Sequence, residues 1–224
     1  MDPGRPPLRS FGRLKSRPIK PRQAALMESL LPRIASPAEP FDPRTLVPGA
    51  CEAWLEIGFG GGEHLAGQAQ AHPGVAFLGA EPFHNGVASA LRHIHEAGLS
   101  NVRLHHGDAR DLLALLPDAS LARVFVLFPD PWPKARHRKR RLVEPNTVAS
   151  LARVLAPGGS LRFASDVADY VDWALERILA DGAFRWTARQ ADDWRKPPRD
   201  HLTTRYQEKR LGDCSPVFLD FVRT

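Results

Sequence analysis

Four acids, Glu56, Glu81, Asp108 and Asp130, stand at or near the ends of short apolar runs that succeed one another along the 224-residue chain. Carboxylates accept hydrogen bonds from sugar hydroxyls, from purine amino groups and from cations. Behind the first acid comes Gly58-Phe59-Gly60-Gly61-Gly62, where missing side chains let the backbone approach a ligand closely. The third glycine of a dinucleotide-binding G-x-G-x-x-G would fall at position 63, which is Glu63. A pyrophosphate would be repelled by Glu56 and Glu63, so the loop suits a cationic ligand without phosphate, such as S-adenosylmethionine. Glu81 lies about twenty residues beyond the loop, the usual distance for an acid that accepts both ribose hydroxyls. Asp108 is placed to accept from an adenine amino group, and Asp130 to lie beside the reactive methyl. Singly, each acid reads more readily as a loop residue or a helix cap. Four in register with strand order read as a site.

Asp130 sits within Phe128-Pro129-Asp130-Pro131-Trp132-Pro133-Lys134. Each proline fixes its own φ and pushes the preceding residue out of the right-handed helical region, so Asp130 is expected to be held extended at a strand's end. Trp132 beside it reads as a loop anchor or as a platform for stacking a base. The densest basic run follows: residues 134–141 hold six cations and no acid. Residues 1–22 carry seven more against Asp2 alone, so a net charge of +6 resides in two patches of an otherwise acidic chain. Such clustering is the footprint of phosphate-backbone binding, with a solubilising tail as the alternative for the first patch. Lys134, Arg136, Arg138, Lys139, Arg140 and Arg141 are the candidate phosphate-holding residues.

These residues need a frame. Strands are expected over 53–57, 75–81, 102–106, 123–128, 160–166, 184–187 and 216–222, and helices over 61–71, 85–96, 109–116, 145–155 and 168–180. Pro157-Gly158-Gly159 reads as the turn between a helix and the fifth strand, and 192–210 as too polar and proline-interrupted for the core. The alternation implies an α/β fold, an open, doubly wound, mostly parallel seven-stranded Rossmann-like sheet with helices on both faces. Ligands of such sheets sit at the carboxyl ends of the strands, where all four acids fall. Residues 1–22 read as a basic tail, disordered without a partner, and 23–224 as a single domain, with one helix near 22–31.

No run approaches the roughly 18 to 20 apolar residues of a membrane span, and the basic N-terminus lacks a secretory h-region. The chain reads as soluble and cytoplasmic. Two cysteines, Cys51 and Cys214, are too few for a disulfide framework and read as reduced thiols. His93 with His95 and His105 with His106 have no cysteine partners, so no metal is expected. Monomer and homodimer both remain open.

The chain resembles the bacterial tRNA (guanine-N7-)-methyltransferase family of class I S-adenosylmethionine-dependent enzymes. The resemblance spans about 50–220 and rests on Leu55-Glu56-Ile57-Gly58-Phe59-Gly60, Glu81, Gly107-Asp108, the 128–134 motif with Arg136-His137 and Arg140-Arg141, Ser165-Asp166, and Thr204-Arg205-Tyr206 with Glu208-Lys209. It implies methyl transfer from S-adenosylmethionine to the 7-nitrogen of a guanosine in tRNA, at position 46 of the variable loop. It further implies that Glu56, Glu81, Asp108 and Asp130, with Gly58 and Gly60 of the loop, contact the cofactor or act at the reaction centre, Asp130 being catalytic. Lys134, Asp166 and the segment Thr204, Arg205, Tyr206 and Gln207 would bind RNA, together with Arg136, Arg138 and Arg140 of the strip. The family usually carries glutamate where this chain has Gln207. Two rivals stand beside this reading. A Rossmann methyltransferase acting on another RNA, a small molecule or a protein would leave the basic strip unexplained, and a non-catalytic RNA-binding module would leave the acids without purpose.

Overall fold

The computed structural model describes residues 18–209 and 211–224, apart from the Arg205 side chain. Seven strands form one sheet in the order β3-β2-β1-β4-β5-β7-β6. They are β1 (Glu52–Ile57), β2 (Val75–Ala80), β3 (Val102–His105), β4 (Leu121–Leu127), β5 (Leu155–Ser165), β6 (Phe184–Trp186) and β7 (Val217–Arg223). β1 to β5 pair in parallel, while β7 is antiparallel to both β5 and β6. The expected doubly wound, mostly parallel sheet is therefore the one observed. Its strand order reverses between β1 and β4, and at that switch the connections leave toward opposite faces and open a crevice.

Strand alternation divides the core in two. Leu55, Ile57, Val124, Val126, Leu161 and Phe163 point to one face and pack under α5 (Ala109–Leu115), α6 (Pro145–Val154) and α7 (Ala168–Ala180). The opposite residues over β1 to β3 pack under α1 (Pro21–Ser29), α3 (Glu63–Ala71) and α4 (His84–Glu96), with α2 (Leu31–Ile34) adding Ile34. In α4 the buried Val87, Ala90, Leu91 and Ile94 recur at helical spacing, which makes one apolar stripe.

Over β4, β5 and β7 that second face has no long helix. It is covered by residues 196–209, part of the 192–210 stretch expected to be too irregular for the core, which opens with α8 (Asp192–Arg195) and contains α9 (Arg205–Glu208). The cover is ionic as well as apolar. Asp200 meets Arg162 and Arg123 at 2.7 Å each, Arg162 also grips Asp220 at 2.7 Å, and Arg123 lies over the Phe125 ring at 4.6 Å. Burial would raise the Asp200 carboxyl, but the two guanidinium groups outweigh it and hold the pKa at about 2. None of the described residues of 192–210 is itself buried, in line with the expectation, but the stretch still covers the sheet through pairs that join residues 38 and 77 positions apart, which no local pattern encodes.

Two smaller corrections concern β5 and the N-terminus. The strand begins at Leu155, paired with Leu121, and resumes at Ser160 opposite Arg123, so Pro157-Gly158-Gly159 bulges out of the ladder rather than separating helix from strand. The helix expected near 22–31 spans Pro21–Ser29, while residues 1–17 of the proposed tail lie outside the described residues. Cys51 and Cys214 are both free. Among the described residues no helix is long and apolar enough to cross a membrane, and no three metal-ligating side chains converge.

Candidate active site

A cavity of about 730 Å³ occupies the crevice at the switch point, bounded by the carboxyl ends of β1 to β4. Glu56, Gly58, Gly60, Glu81, Asp108, Asp130, Arg140, Thr204 and Tyr206 all line it, so nine site residues named from sequence converge on one space. Gly58 and Gly60 have φ of +73° and +53°, and a Cβ at either would meet nothing within 4 Å. Their missing side chains serve both the left-handed turn and the open wall.

Each acid on the β1–β3 side is held by the protein. Glu56 is 4% exposed, and its Oε2 lies 2.7 Å from Nδ1 of the fully buried His64 in α3. Glu81 Oε2 accepts from the Gly60 amide at 2.8 Å and Oε1 from the Phe83 amide at 2.9 Å. Burial outweighs those donors, and the charges of Asp130 and Glu56 add to it, so the Glu81 pKa rises to about 7. Asp108 caps α5 by accepting from the Arg110 amide at 2.9 Å, and its carboxylate also takes the Arg110 guanidinium at 2.6 and 2.8 Å. Burial pushes its carboxyl up, but those Arg110 bonds prevail and the pKa falls below the ordinary value. The cap and the site are thus the same residue.

Asp130 is treated differently. Its side chain is exposed to the cavity, and among the described residues none donates a hydrogen bond to it. Surrounding protein still desolvates the carboxyl enough to raise its pKa. Two residues that precede prolines flank it with left-handed backbone, Phe128 at φ +50° and Trp132 at φ +43°. Phe128 faces Tyr206 with ring centroids 5.8 Å apart, and Trp132 lies 4.9 Å beneath the Arg140 guanidinium.

The basic run does not act as one surface. Residues Ala135–Arg140 form a 3₁₀ turn; Lys134, just before it, and Arg136 and Lys139 within it are exposed, while Arg140 lines the cavity. Arg138 pairs with Asp169 at 2.8 Å. Arg141, expected to hold phosphate, is wholly buried: it donates to the Pro131 carbonyl at 2.8 Å, pairs with Asp169, and stacks near Tyr170 and Trp173. A buried cation without solvent access is no phosphate ligand; it anchors the turn that carries Asp130.

The remaining candidates separate as well. Asp166 is 4% exposed and away from the cavity lining, its Oδ2 accepting from the Gly212 amide at 2.9 Å. Gln207 also stays off the lining, with its Oε1 2.8 Å from His201 Nε2. Arg205 contributes backbone to α9, and its side chain lies outside the described residues. Lys209, Asn85, Ser89 and Arg110 line the cavity without having been singled out as site residues. So does Glu56's partner His64 escape a reading by motif, although a histidine amid the apolar positions of the helix after the glycine loop was a signal available in the sequence.

Residues 51–216 match the family described as "Putative methyltransferase". The chain is 65% identical to the tRNA (guanine-N(7)-)-methyltransferase of Caulobacter sp. (strain K31) over 97% of its own length and 96% of the relative's. It is 52% identical to the enzyme of that name from Hyphomonas neptunium, covering 96% and 99% of the two chains. Among solved structures, the 16S rRNA (adenine(1408)-N(1))-methyltransferase from Catenulisporales acidiphilia superimposes with a TM-score of 0.55 at 18% identity, over 85% of this chain and 97% of that one. The [4+2]-cyclase SpnF superimposes at 0.51 and 16% identity, over 81% and 78%. Likeness at that distance fixes the sheet and leaves the reaction to the residues within it.

Proposed function

Since the chain belongs to the tRNA (guanine-N(7)-)-methyltransferase family, we propose that it transfers the methyl group of S-adenosylmethionine to the 7-nitrogen of a guanosine in tRNA, the guanosine at position 46, in the cytoplasm. The observation that carries this reading is the continuity of the cavity. Its acid-lined half, at β1 to β3, opens at Asp130 directly onto the basic turn that follows β4.

The residues fit the cofactor. The open wall at Gly58 and Gly60 admits an adenosine, Glu81 faces ribose hydroxyls with carboxylate lone pairs beyond the two its backbone donors use, and Asp108 accepts from the adenine amino group. Glu56 offers negative charge to the cationic amino-acid end. The cofactor supplies a methyl on a positively charged sulfur. Guanine N7 already bears a lone pair and no proton, so the new C–N bond forms as the C–S bond breaks, and no general base is required. The protein's work is positioning and charge stabilisation. Asp130 accepts the guanine ring and exocyclic N–H groups and offsets the positive charge that develops on the base. Thr204 and Tyr206 close the same wall, with Tyr206 and Phe128 as its aromatic surface. Lys134, Arg136 and Arg140 meet the phosphates of the substrate backbone, and Arg138 divides its charge with Asp169.

Incubation of the protein with unmodified tRNA and S-adenosylmethionine, followed by mapping of 7-methylguanosine, is expected to give one modified position, in the variable loop. Methylation of another atom, or of small-molecule or protein acceptors alone, would overturn the proposal.

A further inference from the structure

Glu56 owes its orientation to a residue outside the cavity wall. His64 of α3 is 0% exposed, its ring lies 4.9 Å from that of Phe125 in β4, and its Nδ1 lies 2.7 Å from Glu56 Oε2. One helical turn on, Gln68 places its Nε2 3.4 Å from His64 Nε2 and 2.5 Å from the Asp200 carbonyl oxygen. A carbonyl oxygen only accepts, so the NH2 end of the Gln68 amide must face it. The second N–H of that amide then points at His64 Nε2, which makes this nitrogen an acceptor and leaves the ring proton on Nδ1, donated to Glu56. The other tautomer would set a bare nitrogen lone pair against a carboxylate oxygen. Asp200 is itself pinned by Arg123 and Arg162, so the chain of bonds ends on a fixed point of the sheet.

We propose that His64 is a positioning residue for cofactor binding, holding Glu56 by one carboxylate oxygen so that the other presents its charge to the ammonium group of an amino-acid-bearing cofactor. Among the described residues Oε1 of Glu56 has no hydrogen-bond partner, in contrast to Oε2. Gln68 fixes the tautomer. The inference rests on the reading that the cavity takes S-adenosylmethionine, and it adds the mechanism by which a buried acid keeps its aim.

Calorimetric binding of S-adenosylhomocysteine, which retains the ammonium group, tests it. His64→Leu fills similar space without a donor and is expected to weaken binding roughly ten- to a hundredfold, the effect of losing a hydrogen bond to a charged group. Turnover at saturating cofactor should stay within about threefold of the parent. His64→Asn, whose amide can reproduce the Nδ1–H, is expected to recover most of the affinity. Binding of 5′-methylthioadenosine, which lacks the amino-acid end, should be nearly the same in all three proteins. Equal losses for both ligands, or no recovery with asparagine, would reduce His64 to core packing and overturn the inference. If His64→Leu does not fold, Gln68→Leu keeps the ring and frees its tautomer. That variant should weaken S-adenosylhomocysteine selectively, and an unchanged affinity would count against the proposal. Failure of the parent protein to bind either ligand would instead refute the methyltransferase reading itself.

Discussion

On the β1–β3 side of the cavity every acid is already engaged: Glu56 by His64, Glu81 by the Gly60 and Phe83 amides, Asp108 by Arg110. On the β4 side Asp130 faces the cavity with no donor among the described residues, and Lys134 and Arg136 stand exposed in the turn that follows. The difference matches what each half has to do. A small ligand whose adenosine and amino-acid ends are the same before and after methyl transfer is best met by fixed acceptors, because the cost of arranging them is borne in folding. Groups that act on developing charge, or on a flexible polyanion, gain by keeping their bonding capacity for the substrate.

The contrast breaks most visibly at Asp130. Asp130→Asn preserves shape and removes charge, and is expected to lower turnover by about 100-fold or more with cofactor affinity within about twofold, as measured by single-turnover kinetics and calorimetry. Equal loss of both would move Asp130 to the cofactor half. A second test lies within the basic run. Arg141→Met is expected to cost roughly 2–4 kcal/mol in urea unfolding, because it deprives the Pro131 carbonyl and Asp169 of a buried partner. Replacing Lys134 and Arg136 together by alanine should leave the unfolding midpoint in place and lower the salt slope of tRNA binding by about 1 to 2. An unchanged slope would remove them from the RNA interface.

The smallest effect concerns Glu81, whose pKa of about 7 in the folded protein exceeds the ordinary 4.5. The ionised form accepts ribose hydroxyls, so cofactor affinity should fall by up to about tenfold per unit as pH drops below 7. Folding shows the opposite trend. The native state holds this proton more tightly than the unfolded chain, so Glu81 subtracts stability progressively as pH rises from 4.5 to about 7. Binding titrations and thermal melts across that range check both signs, and Glu81→Gln should flatten both profiles.

Much of this was legible from local pattern. The apolar runs at 53–57, 75–81 and 123–128 located β1, β2 and β4 within a few residues, and acids at their ends pointed to the crevice. What escaped depends on partners remote in sequence. Arg141 looks like its neighbours in a run of cations, but Asp169, Tyr170 and Trp173, about thirty residues on, together with the Pro131 carbonyl, take it out of water. Asp166 carries motif identity and Gln207 replaces the family's usual glutamate; neither lines the cavity, the first accepting from the Gly212 amide and the second facing His201. The stretch 192–210 reads as surface because its cover of the sheet rests on Asp200 pairing with remote arginines and on a few aromatic contacts from His201 and Tyr206, not on a periodic apolar pattern.

Phe128 and Trp132, the two aromatic residues with left-handed backbone beside Asp130, set a limit on how this protein can be improved. A bulky side chain in that conformation costs on the order of 1–2 kcal/mol, which glycine would recover. At the half-buried Trp132, glycine would relieve that strain and lose the ring beneath Arg140, so selection for thermal endurance alone puts this part of the wall at risk. At Phe128 the ring is packed among Phe125, Leu127, Ala164 and Phe218, and removing it would cost roughly 3–5 kcal/mol, more than the strain returned, so there endurance and the wall that faces Tyr206 are kept by the same side chain.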